Sequence, residues 1–137
     1  MTIFARARAE DCIIAVKVRE FNSNCHINLH IEGLTTSSLT VYGGDFIEEV
    51  TVKGSKLHSL DLSRCKALAI FTCENSSLEY LDLTNCDIDP IQNGFRISGL
   101  MNSSLKVKGN HIKGMRIAKS CLKSLNVSEC KDLEAIS

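Results

Sequence analysis

Apolar residues return along this chain at two nested intervals. Leu57, Leu60, Leu62 and Cys65 are followed by Leu78, Leu81, Leu83 and Cys86, and later by Leu122, Leu125, Val127 and Cys130, so the template L-x-x-L-x-L-x-x-C is written three times. Leu39, Val41 and Gly44 form a weaker copy, and Leu105, Val107 and Asn110 another, each lacking the first leucine. The second-leucine position falls at 39, 60, 81, 105 and 125, giving steps of 21, 21, 24 and 20 residues. Between these runs a second apolar-x-apolar series at Leu29/Ile31, Val50/Val52, Ile70 with Thr72, Phe95 or Ile97, and Met115/Ile117. Alternation over so few residues places both apolar side chains on one face of an extended segment, so it predicts strands and not helices. The rhythm is one short strand roughly every ten residues. Ser, Gly and Asn clusters at 35–38, 54–55, 75–77 and 102–104 supply the turns.

A coil of two short strands cannot bury its own leucines. Stacking equivalent strands in parallel turns the leucines of successive coils into one core, which is why such chains need several repeats to fold. The expected fold is therefore a mainly β repeat solenoid, a right-handed coil with two short parallel strands per turn. It forms a single domain over 1–137, with about five coils in 27–137. Residues 1–26 do not fit the repeat. Their apolar Ile13, Ile14, Val16, Val18 and Phe21 suit a cap over the first coil. The repeat runs out at Ile136-Ser137, so the last coil is expected to stand open, either as a piece of a longer chain or as an end-on contact for self-association.

The run L-x-S-L-D-L-S-x-C-x-x-L-x-x-F-x-C-x-N-x-x-L, starting at Leu57, resembles the short, roughly 21-residue leucine-rich repeats of many bacterial proteins. The likeness covers about 27–136 and is closest at 57–86 and 120–136. It implies a protein-binding solenoid, often within a larger surface or secreted protein. It also implies that Cys65, Cys86, Cys130 and Asn110 occupy an inward position whose side chain bonds to backbone at the turn. The chain departs from that pattern in placing Cys where Asn is commoner and in three extra residues within the 81–105 coil, and on the residues as written no signal peptide is expected.

Composition narrows the function. A hydrophobic share of 44% with a single proline argues against disorder. Sixteen basic residues balance sixteen acidic ones, so no global field draws the protein to nucleic acid or an acidic membrane. No apolar run approaches the roughly 20 residues of a membrane span, and the N-terminus lacks a secretory core, so a cytoplasmic protein is expected, or a cell-surface one if the chain is a fragment. Seven cysteines without an export signal favour free thiols. The chain shows no CxxC pair or zinc-spaced Cys/His cluster, and Asp87 and Asp89 lack the remaining ligands of a calcium loop, so neither metal nor cofactor is expected. His26 and His30 share a strand face and offer at most a weak adventitious site. Nothing marks a substrate cleft, and no catalytic residues are assigned.

The primary reading is a non-enzymatic module that binds another protein through the outward side chains of its strands. Thr40, Asp61, Asp82, Lys106 and Asn126 form one expected column, with Tyr42, Ser63, Thr84, Lys108 and Ser128 beside it. The candidate contact residues are Tyr42, Asp61, Tyr80, Asp82, Lys106, Lys108 and Asn126. Tyr42 and Tyr80 are the natural anchors, since tyrosine buries large area at low entropic cost. A competing reading is a structural spacer, or a fragment of a bacterial surface or secreted adhesin, whose columns touch nothing. The segment 101–123 carries six basic residues and no acid, and reads as a solvated band or a dock for an acidic protein patch. The insert at 87–94 reads equally as a binding loop or a neutral bulge.

Overall fold

The computed structural model describes residues 2–5, 13–17, 27–89 and 94–137. Strands follow one another at short intervals: β1 (Thr2–Ala5), β2 (Ile13–Lys17), β3 (Ile27–Glu32), β4 (Thr35–Tyr42), β5 (Ile47–Lys53), β6 (Lys56–Asp61) and β7 (Ile70–Glu74). They continue as β8 (Ser77–Asp82), β9 (Phe95–Ser98), β10 (Ser104–Lys108), β11 (Gly114–Ala118), β12 (Ser124–Glu129) and β13 (Ala135–Ile136). Every odd strand pairs in parallel with the next odd strand and every even strand with the next even one, giving a seven-stranded and a six-stranded sheet. The chain therefore winds as a β-solenoid, with no helix among the described residues. Within 1–26, β1 and β2 add a strand to each sheet, so the described part of the expected cap is itself built on the coil plan. Val18 and Phe21 lie outside the described residues.

The core lies between the sheets. Leu39, Leu60 and Leu81 stack in register, Val41, Leu62 and Leu83 follow them, and all six are buried. Opposite them, Leu29, Val50, Phe71 and Phe95 form the matching column, with the two phenylalanine rings 5.6 Å apart. Here one expectation is corrected. In β7 it is Phe71 and Cys73 that face inward, while Ile70 and Thr72 are only half-buried. The register Val50 to Phe71 and Val52 to Cys73 sets this, because inward residues must stack on inward residues.

The last coil is less sheltered. Leu125 and Val127, expected to be fully buried, are half-buried. No described strand covers β12 on its outer edge, so their side chains gain a neighbour on one side only. Ile136 is 48% exposed for the same reason.

The turns repeat as faithfully as the strands. Gly33, Gly54, Asn75, Gly99 and Lys119 all hold positive φ, between 48° and 71°, at one level of successive coils. Next to them, Leu34 N–H donates to Ser55 Oγ and Ser55 N–H donates to Ser76 Oγ, both at 3.1 Å, binding three coils into one serine ladder.

Candidate partner-binding face

The outer face of the six-stranded sheet carries the predicted residues, and the register decides which of them meet. Ser38, Ser59, Tyr80, Lys106 and Asn126 are neighbours across five strands. Thr40, Asp61, Asp82, Lys108 and Glu129 form the adjoining row. This corrects the expected columns: Lys106 lies beside Tyr80 and Asn126, and Lys108, not Lys106, lies beside Asp82. The cause is local. In β8 two residues separate the inward Leu78 from Leu81, whereas β10 alternates strictly through Leu105, Lys106 and Val107. Val107 thus takes the level of Leu81, and Leu105 is not the partner of Leu81 that the repeat count suggests.

Asp61, Asp82 and Asn126 share one structural task. Asp61 Oδ1 accepts from Ser63 N–H at 2.9 Å and from Ser63 Oγ at 2.6 Å. Asp82 Oδ1 accepts from Thr84 N–H at 3.0 Å and from the Thr84 hydroxyl. Asn126 Oδ1 accepts the same pair of bonds from Ser128, at 3.0 and 2.7 Å. These are Asx turns, in which a short polar side chain satisfies the backbone where the strand ends. The D-L-S signature is thereby explained by turn formation, and one oxygen of each side chain is committed to it.

The middle of the face is different in character. The Lys106 ammonium lies 5.9 Å from the centre of the Tyr80 ring and 3.7 Å from Glu129 Oε2. Desolvation, reinforced by the Asp82 charge, pushes the Tyr80 phenol up from its ordinary value. Upstream in the same coils, His58 Nδ1 meets Glu79 Oε2 at 2.8 Å and Ser38 Oγ meets Ser59 Oγ at 2.8 Å. Together Ser59, Tyr80, Lys106, Ser124 and Asn126 line an open depression of about 510 Å³. Tyr42 stands apart at the end of β4, 39% exposed. Sequence reasoning overlooked His58 and Ser59. Their signal was present, since His58 and Glu79 occupy the same repeat position one 21-residue step apart, as do Ser38 and Ser59.

The cysteines play the inward role expected of them. Cys65 Sγ donates to Val41 O at 3.5 Å, Cys86 Sγ to Leu62 O at 3.1 Å, and Cys130 Sγ to Val107 O at 3.3 Å, each reaching back one coil. Burial pushes the Cys65 thiol up to about 11 and the Cys73 thiol up to about 12, and raises Cys86 as well. All five described cysteines are free, and Cys121 alone among them is exposed. Cys12, Cys25 and His26 lie outside the described residues.

No group of three or more His, Cys, Asp or Glu among the described residues is arranged to hold a metal ion. No described helix is long and apolar enough to cross a membrane. Of the 87–94 insert, Ile88 is buried, Asp89 N–H donates to Ala69 O at 2.9 Å and Gly94 N–H donates to Asp89 O at 2.9 Å, while 90–93 lie outside the described residues.

Against this geometry, a family model described as Leucine Rich repeat matches residues 74–91, the segment that contains β8, its Asx turn and Cys86. No curated protein and no solved structure matches the chain significantly. The molecule is thus a β-solenoid, and its leucine-rich-repeat character is shown over residues 74–91.

Proposed function

We propose that this protein is a protein-binding module whose partner docks on the outer face of the six-stranded sheet, centred on Tyr80 and Lys106. The observation that carries this is the depression around Tyr80, where an aromatic ring, a cation and several hydroxyl and amide groups meet on a rigid sheet. Aromatic anchors surrounded by polar groups are what protein contact patches use. Five strands at about 4.8 Å spacing span about 20 Å, enough for one standard interface. Asp61, Asp82 and Asn126 flank the centre and orient the face, but their turn bonds make them scaffold first and contact second. Tyr42 and Lys108 extend the surface along β4 and β10.

A photo-crosslinking residue placed at Ser59 tests the proposal, with one at Thr51 on the other sheet as control. Capture of one defined protein from Ser59, absent from Thr51 and abolished by Tyr80→Ala with Lys106→Ala, is the expected result. Equal capture at both positions, or capture that survives the double substitution, would remove the partner from this face. A spacer with no partner would give no specific product at either position.

A further inference from the structure

On the outer face of the seven-stranded sheet, Arg96 of β9 and Arg116 of β11 are direct register partners, and both are exposed. Like charges opposite one another on adjacent strands repel. Among the described residues no carboxylate lies within ion-pair distance of either guanidinium; Glu74, the acid in the depression's lining, pairs with Lys53 at 3.9 Å. The next residue in the row is Thr72, the partner of Arg96 in β7. Its Oγ1 is the one buried side-chain oxygen or nitrogen among the described residues without a hydrogen-bond partner. Thr72, Glu74, Arg96, Ser98, Arg116 and Ala118 line a depression of about 200 Å³.

We infer that this row is a binding site for a phosphate group. Two guanidinium forks present planar sets of donors suited to oxyanions, and the Thr72 hydroxyl supplies a third donor from the neighbouring strand. A carboxylate has two coplanar oxygens that a single fork satisfies. A tetrahedral phosphate has oxygens for both forks and the hydroxyl, and its charge of about −1.5 to −2 near neutral pH offsets both arginines. Occupancy would also satisfy the orphaned hydroxyl, whose burial without a partner is otherwise a cost. Thr72 Oγ1 is closed to solvent in the free protein, so its bond to the ligand requires a local rearrangement of the groups that cover it. Glu74, the carboxylate at the rim, opposes the anion and is partly offset by Lys53.

Titration of the full-length protein with inorganic phosphate, followed by nitrogen-15 NMR of the arginine side chains, tests the site. Saturable shifts of the Arg96 and Arg116 Nε–H signals are expected, with Arg96→Gln and Arg116→Gln each weakening binding about tenfold, as loss of a charge-assisted bond predicts. Both residues are exposed and either substitution relieves their mutual repulsion, so the thermal midpoint should hold or rise slightly. Thr72→Val should weaken phosphate binding while leaving the protein as stable or more so, a combination that a purely structural threonine would not produce. A peptide pair differing only in serine or phosphoserine separates the sources of the phosphate. Tighter binding of the phosphopeptide than of inorganic phosphate assigns the site to a modified protein segment, and equal binding assigns it to a free phosphate ligand. Absence of saturation by about 10 mM, the range of negligible affinity, or saturation unchanged by both arginine substitutions, would overturn the site.

Discussion

Ser76 holds Ser55 from the next coil: the Ser55 backbone N–H donates to Ser76 Oγ at 3.1 Å, while the same hydroxyl donates to Glu74 O at 2.8 Å. Both serines are fully buried, so the ladder satisfies backbone groups that no water reaches. Ser76→Ala leaves the Ser55 N–H orphaned and should cost about 1 to 3 kcal/mol in urea unfolding. Ser120→Ala removes a longer bond, 3.4 Å from Leu100 N–H, at a half-buried site and should cost less. Equal losses in the two variants would show that burial is not what gives the ladder its value.

The same comparison applies to the leucines. Leu81 is fully buried between neighbouring coils, and Leu81→Ala should cost about 2 to 5 kcal/mol. Leu125 stacks on Leu105 in the last coil but is only half-buried, so Leu125→Ala should cost clearly less. Urea midpoints of the two variants decide it, and a Leu81→Ala variant as stable as the parent would contradict the stacked core.

These differences mark what the sequence could and could not disclose. Period-2 alternation and a fixed 21-residue step were enough to place Leu60, Leu62, Leu81 and Leu83 inside and to leave Asp61 and Asp82 outside. Periodicity carries no information about where an array is uncovered, which is why Leu125 and Val127 looked equivalent to their counterparts. Counting leucines also could not see that β10 drops one residue between its inward positions, which puts Lys106 beside Tyr80 and Lys108 beside Asp82, while Lys106 keeps its expected neighbour Asn126. In β7, Ile70 and Thr72 alternate as plausibly as Phe71 and Cys73, and only pairing with β5 selects between them. The residues of the proposed docking face were legible as a set, and the place of Tyr80 between Ser59 and Lys106 emerged only from the register.

Turn geometry yields a third prediction. Lys119 holds φ 50° at the level where Gly54 holds φ 58°. A side chain there costs about 1 to 2 kcal/mol relative to ordinary backbone, of which glycine returns about half through its greater freedom when unfolded. Lys119→Gly should therefore stabilise by about 0.5 to 1 kcal/mol. Gly54→Ala should destabilise, although a Cβ at Gly54 would meet nothing within 4 Å, so the loss would report backbone strain alone. Opposite signs for the two variants in thermal and urea melts are the expected pattern.

Thiol chemistry gives a fourth. Cys121 should react with a thiol reagent in the native protein, whereas Cys65, Cys73 and Cys86 should react only on unfolding. Burial raises Cys65 to about 11 and Cys73 to about 12 from an ordinary 9.0, so the folded state keeps protons that the unfolded state releases. The stabilisation is fully present below pH 9 and is lost as pH rises through 11 to 12. Denaturation midpoints should be flat with respect to these thiols from pH 7 to 9 and fall above that, and the fall should be reduced in Cys73→Ala once its own destabilisation is allowed for.

The last prediction concerns how charge steers the proposed docking. Lys106 stacks near Tyr80 and pairs with Glu129, while Lys108 lies beside Asp82, so the basic pair adjoins an acidic stretch formed by Asp61, Glu79 and Asp82. A partner on this face must present the complementary dipole, and charges of this kind act mainly on association rate and register. Lys106→Glu with Lys108→Glu should slow association and flatten its dependence on salt. Stability should fall by less than about 1 kcal/mol, because partly exposed pairs such as Lys106 with Glu129 contribute little in water. Tyr80→Ala should instead act on dissociation, since it removes buried contact area and not long-range attraction. Stopped-flow association at low and high salt, using the protein captured by the Ser59 crosslinker, separates the two effects. An association rate unchanged by the double charge reversal would shift the contact off this face, most directly to the Asp87 side of the inserted loop.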